Sequence, residues 1–374
     1  MSKYTDHKSA FRQVPILLLT GFLGSGKTTL LNFLVKQPAF ARTLVLINEF
    51  GEIGLDHDLV THSTDGVVVE MSSGCLCCTI RGDLAGTLRS AAGRFGYKGR
   101  LMFDRVVIES TGLADPAPIV HTLMSHSDLV TQFRLDGVVA TVDAVNGGGT
   151  LDAQIESVKQ AAVADRLLLT KTDIVDADTL RDIQQRLKAL NPGAPQVVSS
   201  HGRVDPELLF GAGLYDPKTR SPDVQRWLQA ESYADASGHS HEHGHGPHGH
   251  HHHDVNRHDA RIKAFCMTLD EPVERDVLSV WLRLLLQFRG ADLLRVKGIV
   301  NVVGADGPVV VHGVQHVFHP AVTLEAWPSE DRRTRMVFIT RDIDESLLRE
   351  TLGVVLDGKT RQVLDAKLEQ KVLV

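Results

Sequence analysis

Cys75, Cys77 and Cys78 lie within four consecutive positions, after Gly74 and around Leu76. Thiolates are soft ligands suited to Zn²⁺ and Cu⁺, and a helix amino end or a bound metal favours the thiolate form. Three sulfurs this close can share one tetrahedral ion and leave a fourth position to another side chain or to water. A structural zinc site normally has four protein ligands, whereas an open one suits exchange or catalysis. Glu49, His57 and His62 are candidates for the fourth place. Buried or redox-sensing thiols compete with this assignment. Cys266 falls in a strand pattern and reads as a core residue.

The second ligand-rich stretch is His239, His241, His243, His245, His248, His250, His251, His252 and His253, nine imidazoles within fifteen positions. Neutral imidazole binds Zn²⁺, Ni²⁺, Co²⁺ and Cu²⁺. The stretch has almost no apolar side chains, so burial cannot offset the entropy of ordering it. It is expected to be a flexible metal reservoir or relay, with a plain linker as the alternative. Internal placement and interleaved Gly, Ser and Glu argue against an expression tag.

The third group is the run from Gly21 to Thr28, Gly-Phe-Leu-Gly-Ser-Gly-Lys-Thr, an eight-residue Walker A pattern between an apolar strand and a helix. Its glycines Gly21, Gly24 and Gly26 let backbone N–H groups, including those around Ser25 and Thr29, converge on phosphate oxygens. The helix amino end adds a favourable dipole. Lys27 is expected to neutralise the β- and γ-phosphates, and Thr28 to place its hydroxyl on Mg²⁺. Glu109-Ser-Thr-Gly112 ends another apolar strand. The Glu109 carboxylate belongs near the γ-phosphate and metal, and Gly112 can turn its N–H toward the γ-phosphate. Thr170-Lys171-Thr-Asp173 ends a third. Asp173 can accept from both the ring N–H and the exocyclic amine of guanine, a donor pair that adenine lacks. The Lys171 stem can pack on the base. The usual guanine motif begins with asparagine; Thr170 replaces it, which leaves room for ATP.

Parallel strands must position these groups. Apolar runs at 14–20, 43–47, 105–109, 137–142 and 166–170 read as strands, and 79–92 and 178–190 have helical spacing. The alternation predicts an α/β fold, a mostly parallel P-loop sheet with helices on both faces, with ligands beyond the carboxyl ends of its strands. A small α+β unit follows the histidines: a strand at 261–269, a helix at 273–288, a strand at 292–303, two or three more strands up to 339, and a helix at 345–352. The domains expected are 1–235, a linker at 236–258, and 259–374.

A chain of 374 residues with 43% hydrophobic content can bury two cores. A net charge of −6 gives no basic field for nucleic acid. No apolar run approaches the roughly 18 residues of a membrane helix, and the polar start lacks a signal-peptide core. A soluble, cytoplasmic protein is expected, and an intracellular setting turns the cysteine cluster toward metal rather than disulfides.

In order, GFLGSGKTTLLN, INEFGEIGLD, GCLCC, ESTG and TKTD resemble the CobW-like metallochaperone GTPases, and the likeness extends over essentially the whole chain, including LRVKG and GVQH near its end. The resemblance implies a GTPase that uses GTP and Mg²⁺ and binds Zn²⁺, with Co²⁺ the alternative, at Cys75, Cys77 and Cys78. It implies slow intrinsic hydrolysis, nucleotide-controlled metal release and a client metalloprotein as partner. Asn48, Glu49, Gly51 and Glu52 match the family's first switch. Glu49 is thus the candidate link between metal and nucleotide, and either Glu49 or Glu109 the carboxylate near Mg²⁺. A P-loop ATPase or kinase, a metal buffer with vestigial hydrolysis, and an insertase for a cobalt or iron enzyme or for cobalamin synthesis are the rivals.

Overall fold

The computed structural model describes residues 13–47, 83–97, 100–199, 201–211, 261–318 and 321–356, with the backbone alone of the strands at 60–61, 68–71 and 76–79. The first unit contains β1 (Val14–Gly21), α1 (Lys27–Leu34), β2 (Thr43–Ile47), β3 (Val60–Thr61), β4 (Val68–Met71), β5 (Leu76–Thr79) and α2 (Leu84–Arg94). A small hairpin, β6 (Gly96–Tyr97) and β7 (Arg100–Leu101), leads to β8 (Arg105–Glu109), α3 (Ala117–Ser125) and α4 (Ser127–Val130). Then come β9 (Phe133–Asp143), α5 (Gly147–Ala153), α6 (Ile155–Val163), β10 (Arg166–Thr170), α7 (Ala177–Leu190) and β11 (Gln196–Val198). One nine-stranded sheet has the order β11-β10-β9-β1-β8-β2-β5-β4-β3. From β11 to β5 every pairing is parallel; β4 and β3 add on antiparallel.

Both faces of this sheet are covered, which is why its strands read as continuous apolar runs. In β1, Ile16 and Leu18 pack with Leu88 of α2 and Val120 of α3. Leu17 and Leu19 pack on the other face with Leu30, Leu31 and Leu34 of α1. Strand β9 begins four residues before its expected start. Its charged Arg134 and Asp136 disguise a strand, but they pair with each other, and Asp136 also accepts from the Gly211 N–H at 2.7 Å. The helix expected at 79–92 starts later. Thr79 ends β5, and Asp83 caps α2 by accepting from the N–H groups of Ala85 and Gly86 at 3.0 and 2.9 Å.

The second unit is antiparallel: β12 (Ile262–Leu269), α8 (Arg275–Arg289), β13 (Leu293–Val300), β14 (Val309–Val314), β15 (Val317–Phe318), β16 (Val322–Thr323), β17 (Thr334–Arg341) and α9 (Glu345–Leu356). The sheet order is β12-β17-β13-β14-β15, with β16 on β14. Strand β13 is shorter than expected at both ends, because residues 290–292 form a 3₁₀ turn and Val302 bridges to Val273 instead. Trp281 of α8 packs edge-on against Phe338 of β17, and its indole N–H donates to Thr351 of α9 at 3.1 Å. The opposite face meets the first unit, with Ala264, Leu294, Val337 and Ile339 clustered around Ala162 of α6. Cys266 is partly buried in β12, and desolvation pushes its thiol up to about 11.

Beneath that contact lies a buried ionic knot. Asp165, just past α6, takes the Val138 N–H at 2.9 Å, the Arg295 guanidinium and the Lys297 ammonium. Arg295 also donates to the Val163 carbonyl. Burial alone would raise the Asp165 carboxyl, but Arg295, Lys297 and His312 hold it well below the carboxylate range.

Candidate functional site

The carboxyl ends of β10, β9, β1, β8 and β2 converge. Leu19 stands opposite Glu109, Ile47 is also in register with Glu109, and Gly21 and Thr170 are paired with Thr141 and Asp143. The turn from β1 into α1 is built on left-handed glycines, Gly24 at φ 71° and Gly26 at φ 90°. Gly21, at φ 140°, has no room for a side chain: a Cβ there would lie 2.5 Å from the Thr141 carbonyl oxygen. Ser25 shares a 2.6 Å hydrogen bond with the Thr141 hydroxyl. Thr28 is partly exposed and Thr29 exposed at the start of α1.

Lys27 is largely buried, and its ammonium bridges the loop, donating to the carbonyls of Gly21 and Phe22 at 2.9 and 3.2 Å. Glycines that open the backbone and a lysine held inside the loop form a cradle that fits phosphate. Glu109 is buried at the end of β8. Ser110, next to it, donates to the Thr20 hydroxyl at 2.9 Å. Gly112 presses on the loop itself: a Cβ on it would sit 2.6 Å from Leu23 N and 2.8 Å from Leu23 Cα.

Thr170 does not face a base. Its hydroxyl donates to Ser25 O at 2.8 Å, with Val142 O at 3.2 Å, and so ties the end of β10 to the phosphate loop. Lys171 adopts φ 57°, and its ammonium is fixed by Asp143 at 2.7 Å. Burial would raise the Asp143 carboxyl, but Lys171 and Asn146 hold it below the usual range. Asp173 lies 3.5 Å from Nδ1 of His201. Thr172 donates to Ser199 O at 3.2 Å, and Gly202 packs on the Thr29 backbone. Ser199, His201 and Gly202 therefore border the aspartate. Sequence reading gives them no role, although they follow a parallel strand at the sheet end where ligands collect.

The structure thus brings Gly21, Gly24, Ser25, Gly26, Lys27, Thr28, Thr29, Glu109, Gly112, Lys171 and Asp173 to one edge of one sheet. Cys77 and Cys78 lie on β5, paired with Val45 and Leu46 of β2; their side chains, Cys75, Glu49, His57, His62 and the nine tract histidines fall outside the described residues. Among the described residues no group of three or more His, Cys, Asp or Glu side chains is placed to hold a metal, and no helix is long and apolar enough to cross a membrane.

Two family models match: the CobW/HypB/UreG nucleotide-binding domain over residues 15–198 and the cobalamin synthesis protein cobW C-terminal domain over residues 262–356. The chain is 32% identical to the zinc chaperone YjiA of Escherichia coli, across 90% of this chain and 96% of that protein. It is 28% identical to the zinc chaperone CobW of Pseudomonas aeruginosa, across 92% of each. A crystal structure of Zn(II)-bound YjiA GTPase from E. coli superposes with a TM-score of 0.70 at 30% identity, covering 92% of this chain and 99% of that one.

Proposed function

The chain belongs to the CobW/HypB/UreG family, and from that premise we propose that it hydrolyses GTP and uses the nucleotide cycle to control delivery of a transition metal, zinc rather than cobalt, to a client metalloprotein in the cytoplasm. The observation that carries this reading is the single edge at which phosphate loop, Gly112 and Asp173 meet. The relatives' names supply zinc and GTP.

In this reading Lys27 exchanges its carbonyl partners for phosphate oxygens, so its charge is positioned before substrate arrives. Thr28, with Glu109 or Glu49, would hold Mg²⁺, which when bound would offset charge on the β- and γ-phosphates. Asp173 selects guanine, and Lys171, steadied by Asp143, packs its stem on the base. Thr170 serves as a loop tie, and base selection falls to Asp173 and Lys171. Cys75, Cys77 and Cys78 hold the cargo ion with Glu49 as the added ligand, and the histidine tract is a weaker store. Strand β5 lies two places from β8 in the sheet, so the cysteine strand and the Glu109 strand are about 10 Å apart. That spacing is short enough for β2 and the segment after it to feel both sites, and such coupling must be reciprocal.

Competition binding tests the reading. GDP is expected to displace a fluorescent GTP analogue and ATP to fail at the same concentration. Lys27→Ala is expected to abolish turnover while sparing cysteine-site zinc. Equal displacement by ATP, or a phosphorylated acceptor, would favour an ATPase or kinase.

A further inference from the structure

The loop after Glu109 is gripped from two directions. Gly112 rests on the Leu23 backbone of the phosphate loop. From beneath, Gln160 of α6, fully buried, donates its amide to the carbonyls of Gly112 and Ala114 at 3.1 and 3.0 Å. The residue before it on the helix, Lys159, reaches Asp115 at 2.7 Å. Asp115 also accepts the N–H of Ala117, the first residue of α3, at 3.0 Å. The remaining donor comes from the other unit: the Gln315 amide lies 3.1 and 3.4 Å from the two Asp115 oxygens.

Gln315 is itself rigidly placed. It sits in the β14–β15 turn at φ 49°, and its N–H donates to Leu293 O at 2.8 Å. Val314 belongs to the same apolar cluster as Val120 and Leu123 of α3, with Val317 packed against it. The far end of α6 is locked into the second unit by Arg295 and Lys297. Desolvation would raise Asp115, but Lys159, the Ala117 N–H and Gln315 keep it ionised and below the usual range. A displacement of residues 111–116 therefore breaks the Asp115–Gln315 contact or drags α3 across the β14–β15 turn.

We propose that Gln315 is a positioning residue of the nucleotide site: through Asp115 it lets the carboxyl-terminal unit hold the Gly112 loop ready for the γ-phosphate. The inference rests on the GTPase reading and adds the element by which the second unit senses and biases nucleotide state. Anything that pulls the β14–β15 turn away changes nucleotide preference, and nucleotide exchange changes the grip on that turn.

A double-mutant cycle on the full chain tests this, using Asp115→Asn, Gln315→Ala and both together. The readouts are Kd for GDP, Kd for a non-hydrolysable GTP analogue, kcat and KM for GTP, and melting temperature. Each single change is expected to weaken the analogue relative to GDP by roughly three- to tenfold, the scale of the net contribution of one hydrogen bond. The double variant should lose no more than the worse single. Combining Asp115→Asn with Gln315→Glu exchanges donor and acceptor, and should recover the wild-type ratio to within about twofold. A ratio unchanged in both singles, additive losses, or equal weakening of both nucleotides with a lower melting temperature would overturn the proposal. Wild-type protein that binds no guanine nucleotide would instead remove the GTPase reading, and this inference with it.

Discussion

Gly112→Ala separates the catalytic geometry from the fold. A Cβ at this position meets Leu23 N at 2.6 Å, Leu23 Cδ2 at 2.7 Å and Leu23 Cα at 2.8 Å. The leucine side chain can rotate away, but the backbone contacts remain. Recovering ordinary contact requires a separation of roughly 0.8 Å between the Gly112 loop and the phosphate loop, and a misplacement near 1 Å in a reacting geometry costs about 100-fold. Lys27 and Glu109 hang from the two backbones being forced apart, so kcat for GTP should fall by about 10- to 100-fold. GDP needs no contact with the Gly112 loop and should bind within about threefold of wild type. Phosphate release and calorimetric GDP binding measure the two effects, with circular dichroism confirming the fold. A turnover within twofold of wild type would refute the role assigned to this contact.

Asp165→Asn leaves Arg295 and Lys297 buried without their counter-charge, and should cost about 3–5 kcal/mol of stability in denaturant titration; a loss under about 1 kcal/mol would mean that solvent reaches the knot. The folded carboxyl lies below the 3.8 of an ordinary aspartate, so its contribution is complete above that pH and is lost as pH falls toward the folded value. Asp115 and Asp143 shift the same way. Wild-type stability should therefore fall more steeply below about pH 4 than that of Asp165→Asn, which acid titration followed by tryptophan fluorescence would show. Changing Cys75, Cys77 and Cys78 to Ser should remove the tightest zinc phase in calorimetry and spare weaker binding. Deleting residues 238–253 should lower zinc stoichiometry while GTP turnover stays within about twofold; a collapse of turnover would give the tract a catalytic or structural role.

Local constraints were the legible ones. Strands β2, β8 and β10 fall at their expected limits because strands buried on both faces leave continuous apolar runs. The phosphate loop was readable because few residues other than glycine accept its backbone conformation. The start of β9 was missed because Arg134 and Asp136 neutralise each other only once folded. The start of α2 was missed because apolar spacing continued through Thr79, while the cap at Asp83 decides where the helix begins. Asp115 and Gln315 are 200 positions apart and Asp165 and Arg295 are 130 apart, separations at which no spacing rule operates. His201 has a usable signal in its place after β11 at the ligand-bearing edge, but a lone histidine there carries no motif that marks it.

The most direct test of the account is zinc affinity measured by competition with a chromophoric chelator in two states of the full chain, loaded with GDP and loaded with a non-hydrolysable GTP analogue. Coupling through the strands between Cys77 and Glu109 predicts affinities that differ by about five- to 100-fold. The same zinc affinity in both states would contradict it, and leave a nucleotide hydrolase whose bound metal ignores the nucleotide.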